Sequence, residues 1–262
     1  MMTQPATPAV LHVRSEDMVF APMHPGAEGQ ASDCPLIGPD ISNTTGAGAA
    51  VYDGCSIESS GRYDEASIVL SGALRLRTGE GFSQLIEANF GDVIWIRKGT
   101  RVKYEGDKAK VFYVRFPVDW RNRRDAGELP PATEVYHFRN TDMIFSQIQV
   151  HSGGYASTCW LISPAISKSV SGTVALYDGC SMAWTTRYDQ ASVGLGGNMR
   201  ILYGEKYDRA IEAKLGDVVW LPKGTPVKYE GERGIMFFVS YPGDWRTRDQ
   251  APRPQPWPAS VR

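Results

Sequence analysis

Along this chain, apolar and polar positions alternate in short runs broken by glycine-bearing turns. ASIVL gives way to SG and then ALRLR, and GDVIWI to RKGT and then RVKYEG. Alternation over about four to eight residues, rich in Val, Ile, Leu, Tyr, Phe and Trp, predicts strands. No stretch keeps the period of a long amphipathic helix. Turns recurring about every 8 to 12 residues predict a sandwich or barrel, so the fold class is all-β.

The pattern occurs twice. VYDGCSIESSGRYDEASIVLSGALRL is answered by LYDGCSMAWTTRYDQASVGLGGNMRI, and GDVIWIRKGTRVKYEG by GDVVWLPKGTPVKYEG. Cys55 to Cys180 and Trp120 to Trp245 are each separations of 125 residues, so no gap intervenes. Matching continues upstream through His12 and His137, Asp17 and Asp142, Phe20 and Phe145, and Cys34 and Cys159. Internal duplication therefore predicts two tandem jelly-roll or barrel domains, at residues 1–124 and 132–249. Each is of the usual domain size. Pro130 and Pro131 cannot sit in a central strand and mark a linker at 125–131. A Pro-rich tail at 250–262 lacks periodicity and is expected to run extended over the surface or stay disordered, with Trp257 as an anchor.

Composition narrows the class further. With 42% hydrophobic residues, 22% charged residues and a net charge of -1, the chain reads as globular and lacks the basic stripe of a nucleic-acid binder. The start MMTQPATPAVLHV has no basic flank before an apolar run, and no stretch approaches the roughly 18 apolar residues of a membrane span. A cytoplasmic location is expected. Cys34, Cys55, Cys159 and Cys180 form no CxxC pair and are expected to be reduced, buried small hydrophobes. Lys98-Gly99-Thr100 and Lys223-Gly224-Thr225 put Lys before Gly in a turn, the wrong order for a phosphate loop.

The segments GRYDEASIVLSGALRL and GDVIWIRKGTRVKYEG resemble the two motifs of the cupin superfamily. Glu65 and Gly72 match the first motif; Gly91, Asp92 and Gly99, and more fully Gly216, Asp217, Pro222 and Gly224, match the second. The Arg-Tyr-Asp-Glu run and the Lys-Gly-Thr turn look most like the ethanolamine-utilisation protein Q type. The resemblance implies two tandem cupin domains, a bicupin. Metal-binding cupins carry histidines where this chain has Glu58, Ser60 and Val102, and Ala183, Thr185 and Val227 in the second copy. Imidazole suits Zn, Fe, Ni and Cu, so no metal ligands are assigned. A harder oxygen-only site built on Glu58, Glu65 and water is disfavoured by ligand count. His12, His24, His137 and His151 all lie outside the motifs, and the equivalence of His12 and His137 favours a structural role.

A barrel mouth is lined by alternate residues of each strand. If the face that bears the metal in that superfamily is the interior, Glu58, Ser60 and Arg62 line it, with Ala183, Thr185 and Arg187 in the second copy. Val102 then places Tyr104 inward, and Val227 places Tyr229. Glu58, Glu65 and Tyr104 are the acid–base candidates; Ser60, Arg62, Trp95, Trp184, Arg187 and Tyr229 are the substrate-binding candidates. The structural alternatives are that the Arg62-Tyr63-Asp64 and Arg187-Tyr188-Asp189 runs form an Arg–Asp pair beside a packed Tyr, and that inward tyrosines merely fill the core. Asp119-Trp120-Arg121 and Asp244-Trp245-Arg246 are read as staples closing each barrel.

Three functional readings follow. The first is an enzyme acting without metal or other cofactor on a small polar, anionic metabolite by acid–base chemistry, as a lyase, isomerase or hydrolase. The second is a non-catalytic binding or scaffold bicupin. The third is a metal-dependent cupin with non-histidine ligands, an oxygenase or the acetate-kinase-like activity that the resemblance suggests. No nucleic-acid or membrane partner is expected, and the chain is either a monomer built as a pseudo-dimer or a homodimer.

Overall fold

A computed structural model describes residues 9–23, 29–123, 133–150 and 152–248. The linker at 125–131, the tail at 250–262 with Trp257, and His24 and His151 lie outside these residues. No described helix is long and apolar enough to cross a membrane.

Among the described residues two antiparallel sheets of nine strands each account for the architecture, one centred on each copy of the repeat. The fold is all-β, with one barrel per copy, as the resemblance to a bicupin implied. Each sheet is organised by two long strands, Asp64–Thr78 on Arg101–Phe116 in the first copy and Asp189–Tyr203 on Pro226–Tyr241 in the second. In the first copy the register slips on either side of Ser71. Gly72 sits there at φ 66°, in the left-handed region, and a Cβ on it would collide with the Lys108 carbonyl. Only glycine tolerates both conditions. The bulge bends the long strands, so one sheet folds over its own core.

Three apolar layers result. Residues such as Tyr52, Leu74, Leu76, Ile94, Ile96, Val102, Tyr104 and Tyr113 fill the first barrel. Tyr177, Met199, Ile201, Val219, Leu221, Tyr229 and Phe238 fill the second. Between the barrels lies a shared layer from both copies, including Ala66, Ile68, Val93, Trp95, Phe112 and Val114 with Ala191, Val193, Val218, Trp220, Phe237 and Val239. Burying each large side chain contributes about 1.5–3 kcal/mol. The strands between the barrel core and the shared layer are thus buried on both faces, and alternation no longer separates inside from outside.

The repeat boundary is not the boundary of the sheets. Leu11–Val13, at the start of the first copy, pairs with Val218–Trp220 of the second sheet. Val135–Phe138, at the start of the second copy, pairs with Val93–Ile96 of the first. Each copy lends its opening strand to the other.

Buried aspartates hold the exchange. Asp92 accepts hydrogen bonds from the backbone N–H groups of Asn89 and Asn140, and His137 Nε2 lies 3.0 Å from its Oδ2. Asp217 accepts from the N–H groups of Lys214 and Ser15 and sits 3.5 Å from His12. The Gly-Asp of the second cupin motif therefore anchors the other copy's strand, which also gives the paired histidines their structural place.

A second reciprocal contact corrects the expected Arg–Asp pair. Asp64 accepts from Lys98 N and from Ser169 Oγ of the second copy, while Asp189 accepts from Lys223 N and from Thr44 Oγ1 of the first. Arg62 instead donates to the Arg123 carbonyl. All four cysteines are free and buried, and burial raises their thiol pKa values.

Candidate functional site

The mouth of the first barrel opens into a cleft of about 650 Å³ lined by Asp33, Tyr52, Ile57, Tyr63, Tyr104, Arg115 and Trp120 among others. Register explains its floor. Glu65 and Arg115 are direct cross-strand partners, and both point into the barrel because their neighbours Ala66 and Val114 point into the shared layer. Arg115 Nε donates to Glu65 Oε2 at 2.8 Å, with the two side chains only 11% and 4% exposed. Glu65 Oε1 accepts from the Tyr104 phenol at 3.1 Å. Tyr113, two residues before Arg115 on the same face, donates its phenol proton to Asp33.

Aromatic rings enclose these charges. The Arg115 guanidinium lies 3.7 Å from the Tyr113 ring centroid and 4.7 Å from that of Tyr63. Tyr52 stacks on Tyr104, and Trp120 meets Tyr63 edge-on. Burial is the largest single influence on Arg115 and works against its charge, but the Glu65 carboxylate together with the surrounding Tyr63, Tyr113 and Tyr52 holds the guanidinium above its usual range. Burial likewise pushes Tyr104 and Tyr113 well up, with Glu65 and Asp33 respectively adding to the shift, and Tyr63 up to about 12. These phenols are neutral hydrogen-bond donors at neutral pH.

Of the nine predicted positions, Glu58, Ser60 and Tyr104 border the first cleft with Glu65 beneath it, Trp184 and Tyr229 line the second, and Arg62, Arg187 and Trp95 line neither. Tyr104 and Glu65 meet on the floor of the first cleft. Tyr229 lies in the second, where Gln190 Nε2 donates to its hydroxyl at 3.2 Å, and Trp184 lines that cleft too. Glu58 does not point inward. Antiparallel pairing sets Glu58 opposite Lys103 and Ile57 opposite Tyr104, so Glu58 and Tyr104 face opposite ways. Glu58 sits at the rim, 47% exposed, bonded to Arg101 at 2.7 Å, which lowers its pKa. Ser60 is also on the rim, and the inward residue is Ser59. Arg62 and Arg187 line neither cleft; Arg187 is exposed, 5.5 Å from the Trp184 ring. Trp95 is buried between the barrels against Tyr136, away from both mouths.

The second cleft is smaller, about 180 Å³, and almost uncharged. Its counterpart of Glu65 is Gln190, of Arg115 Ser240, of Asp33 Thr158 and of Tyr113 Phe238. Gly48 faces the Tyr113 hydroxyl so closely that a Cβ would collide with it, and its counterpart is Thr173, opposite a ring with no hydroxyl. The aromatic wall is kept as Tyr177, Tyr188, Tyr229 and Trp245.

Comparison with known proteins agrees with this geometry. The family model of the ethanolamine utilisation protein EutQ matches residues 17–122 and 155–247, one segment in each copy and most of the chain together. The chain belongs to the EutQ family. An acetate kinase EutQ of Salmonella typhimurium is 26% identical over 89 residues, covering 33% of this chain and 37% of that protein, so little more than a third of that relative is matched. A putative glyoxylate induced protein from Pseudomonas aeruginosa superposes with a TM-score of 0.67 at 16% identity, over 91% of this chain and 92% of that one. An oxalate decarboxylase from Lactobacillus farciminis, in a formate complex, gives 0.61 at 11% identity over 93% and 88%. These structures share the fold.

In this EutQ-family chain the donor set does not fit the metal site of metal-binding cupins. Both oxygens of Glu65 are engaged, by Arg115 and Tyr104. Val102 is buried and apolar, and Glu58 and Ser60 lie at the rim. Among the described residues no group of three His, Cys, Asp or Glu is placed to hold a metal. The positive charge beside Glu65 comes instead from Arg115.

Asp33, Arg115 and Tyr113 were not among the sequence candidates, and Trp120 was assigned only a stapling role. One sequence signal could have found the first three. Among the places where strands of the two copies differ in ionisable type, beside others such as Arg77/Leu202 and Lys110/Ile235, are four that meet around one cleft: Asp33/Thr158, Glu65/Gln190, Tyr113/Phe238 and Arg115/Ser240. A buried charge survives only with its partners, so linked loss points to linked placement.

Proposed function

We propose that the first barrel binds a small carboxylate-bearing metabolite and acts on it by acid–base chemistry without metal. The observation that carries this reading is the pairing of Arg115 with Glu65 through one guanidinium edge only. Arg115 lines the cleft, and its other N–H groups make no hydrogen bond among the described residues. A fork of donors at the floor of a cleft is complementary to a carboxylate. Tyr104, by holding Glu65, keeps the guanidinium aimed. Asp33, half-buried and accepting a hydrogen bond from the Tyr113 phenol, takes the proton from the bound molecule in this reading. The names of similar proteins favour the same ligand class: acetate for the Salmonella typhimurium relative, oxalate and formate for the decarboxylase complex.

The test is calorimetric titration of metal-stripped protein with acetate, formate, oxalate and glyoxylate, followed by proton NMR in D2O to detect exchange or turnover of the ligand that binds. Binding should be lost in the paired variant Glu65→Gln with Arg115→Ser. Turnover, but not binding, should be lost in Asp33→Asn. Absence of any carboxylate binding would overturn the reading, and binding with no turnover would remove its catalytic half.

A further inference from the structure

The second barrel is not a worn copy of the first. A cleft that had only lost its chemistry would be filled by its own side chains, yet about 180 Å³ remains open in it, lined by Ala175, Met182, Trp184, Phe238 and Trp245 with others. Apolar cavities of roughly 150 Å³ accept a benzene-sized guest. Two deeply buried polar groups open onto this space. Gln190, 2% exposed, gives its amide N–H to Tyr229, and its carbonyl oxygen has no partner among the described residues. Ser240, 6% exposed, lines the same cleft with no hydrogen bond from its hydroxyl among them. The Gln190 carbonyl faces the open cleft, where a ligand N–H or O–H would be its donor, while the Trp184 indole N–H of the same cleft is buried without a hydrogen-bond partner among the described residues and would take a ligand acceptor.

We propose that the second barrel is a binding site for a neutral, ring-bearing small molecule that carries one hydrogen-bond donor, of the primary-amide or phenol class. The ring lies among Trp184, Trp245 and Phe238, and the donor meets the Gln190 carbonyl. Ser240 takes any second polar atom. Charge is excluded from the inner part because the charged groups of the first floor, Asp33, Glu65 and Arg115, are replaced there by Thr158, Gln190 and Ser240. Among the described residues the only charged one lining the cleft is Arg246, whose guanidinium lies over the rings of Trp160 and Trp245. The two barrels would then accept ligands of different chemistry in one chain.

The experiment titrates the full chain with benzamide, phenol, benzoate and benzylamine, reading the quench of tryptophan fluorescence and the thermal shift. Benzamide and phenol should bind at least tenfold more tightly than either charged analogue. Gln190→Leu should weaken benzamide about tenfold, the loss of one hydrogen bond, and Ser240→Ala serves in its place if that variant does not fold. Tighter binding of benzoate than of benzamide would mean that Arg246 governs the site and would overturn the proposal. So would benzamide binding unchanged in both variants, or no binding by any of the four.

Discussion

The two barrels have one backbone plan and two interiors. Their aromatic walls correspond: Tyr52 with Tyr177, Tyr63 with Tyr188, Tyr104 with Tyr229, Trp120 with Trp245. Their floors do not, since the ion pair and the Asp33–Tyr113 hydrogen bond of the first become Gln190, Ser240, Thr158 and Phe238 in the second. The walls belong to the fold and the floors to the ligand. Charges buried in pairs cannot leave singly, because the partner left behind is uncompensated. The difference between the copies is accordingly a set of coupled changes.

The largest expected effect breaks that coupling. Arg115→Ala should lower stability by about 3–5 kcal/mol in chemical denaturation, whereas Glu65→Gln with Arg115→Ser, which copies the second floor into the first, should restore most of the loss. A double variant as unstable as the single one would show that the pair is not what the site is built around. In the opposite direction, Gln190→Glu should cost about 3 kcal/mol at neutral pH. Its carboxyl would have a raised pKa in the folded state, so the cost should shrink as pH falls through that value, and adding Ser240→Arg should remove it.

A smaller effect tests what both barrels share. Asp92→Ala and Asp217→Ala each strip the partners from backbone N–H groups at an exchanged strand and should cost about 1–3 kcal/mol. Hydrogen exchange should rise at Val135–Phe138 for the first variant and at Leu11–Val13 for the second. Exchange that rises within the mutated residue's own copy alone would deny the cross-copy anchoring.

Alkaline titration compares the walls. Tyr63 and Tyr188 are both raised from 10.0 to about 12 by burial. Their neutral forms favour the folded state, so this stability is complete below pH 10 and is lost as pH rises from about 10 to 12. Tyr63→Phe and Tyr188→Phe should each flatten the alkaline fall by a similar amount. The smallest effect belongs to Glu58→Gln, which should leave the melting temperature and carboxylate binding within replicate scatter, because its ion pair with Arg101 is on the exposed rim.

Much of the molecule was legible beforehand. The 125-residue offset identified two copies, alternation identified their strands, and the motif residues from Glu65 to Gly72 pointed to a cupin. The site was legible only in part. Glu65, Tyr104, Tyr229 and Trp184 line or underlie a cleft; Glu58 and Ser60 reach the first only at its rim and Arg62 and Arg187 reach neither, because the register turns the face assigned to them outward, and Trp95 lies between the barrels.

The sequence by itself determined the strand content, the duplication and the family, because these depend on local periodicity and on spacing along the chain. Tertiary structure decided which face of each strand is the interior, because the strands bearing Trp95, Glu65 and Arg115 are buried on both sides and their apolar pattern is the same either way. It also decided that each copy's first strand completes the other's sheet, a contact spanning some 200 residues between Ser15 and Asp217 (202 in sequence). Arg115 became a functional candidate only when that packing turned it toward Glu65 and the open cleft.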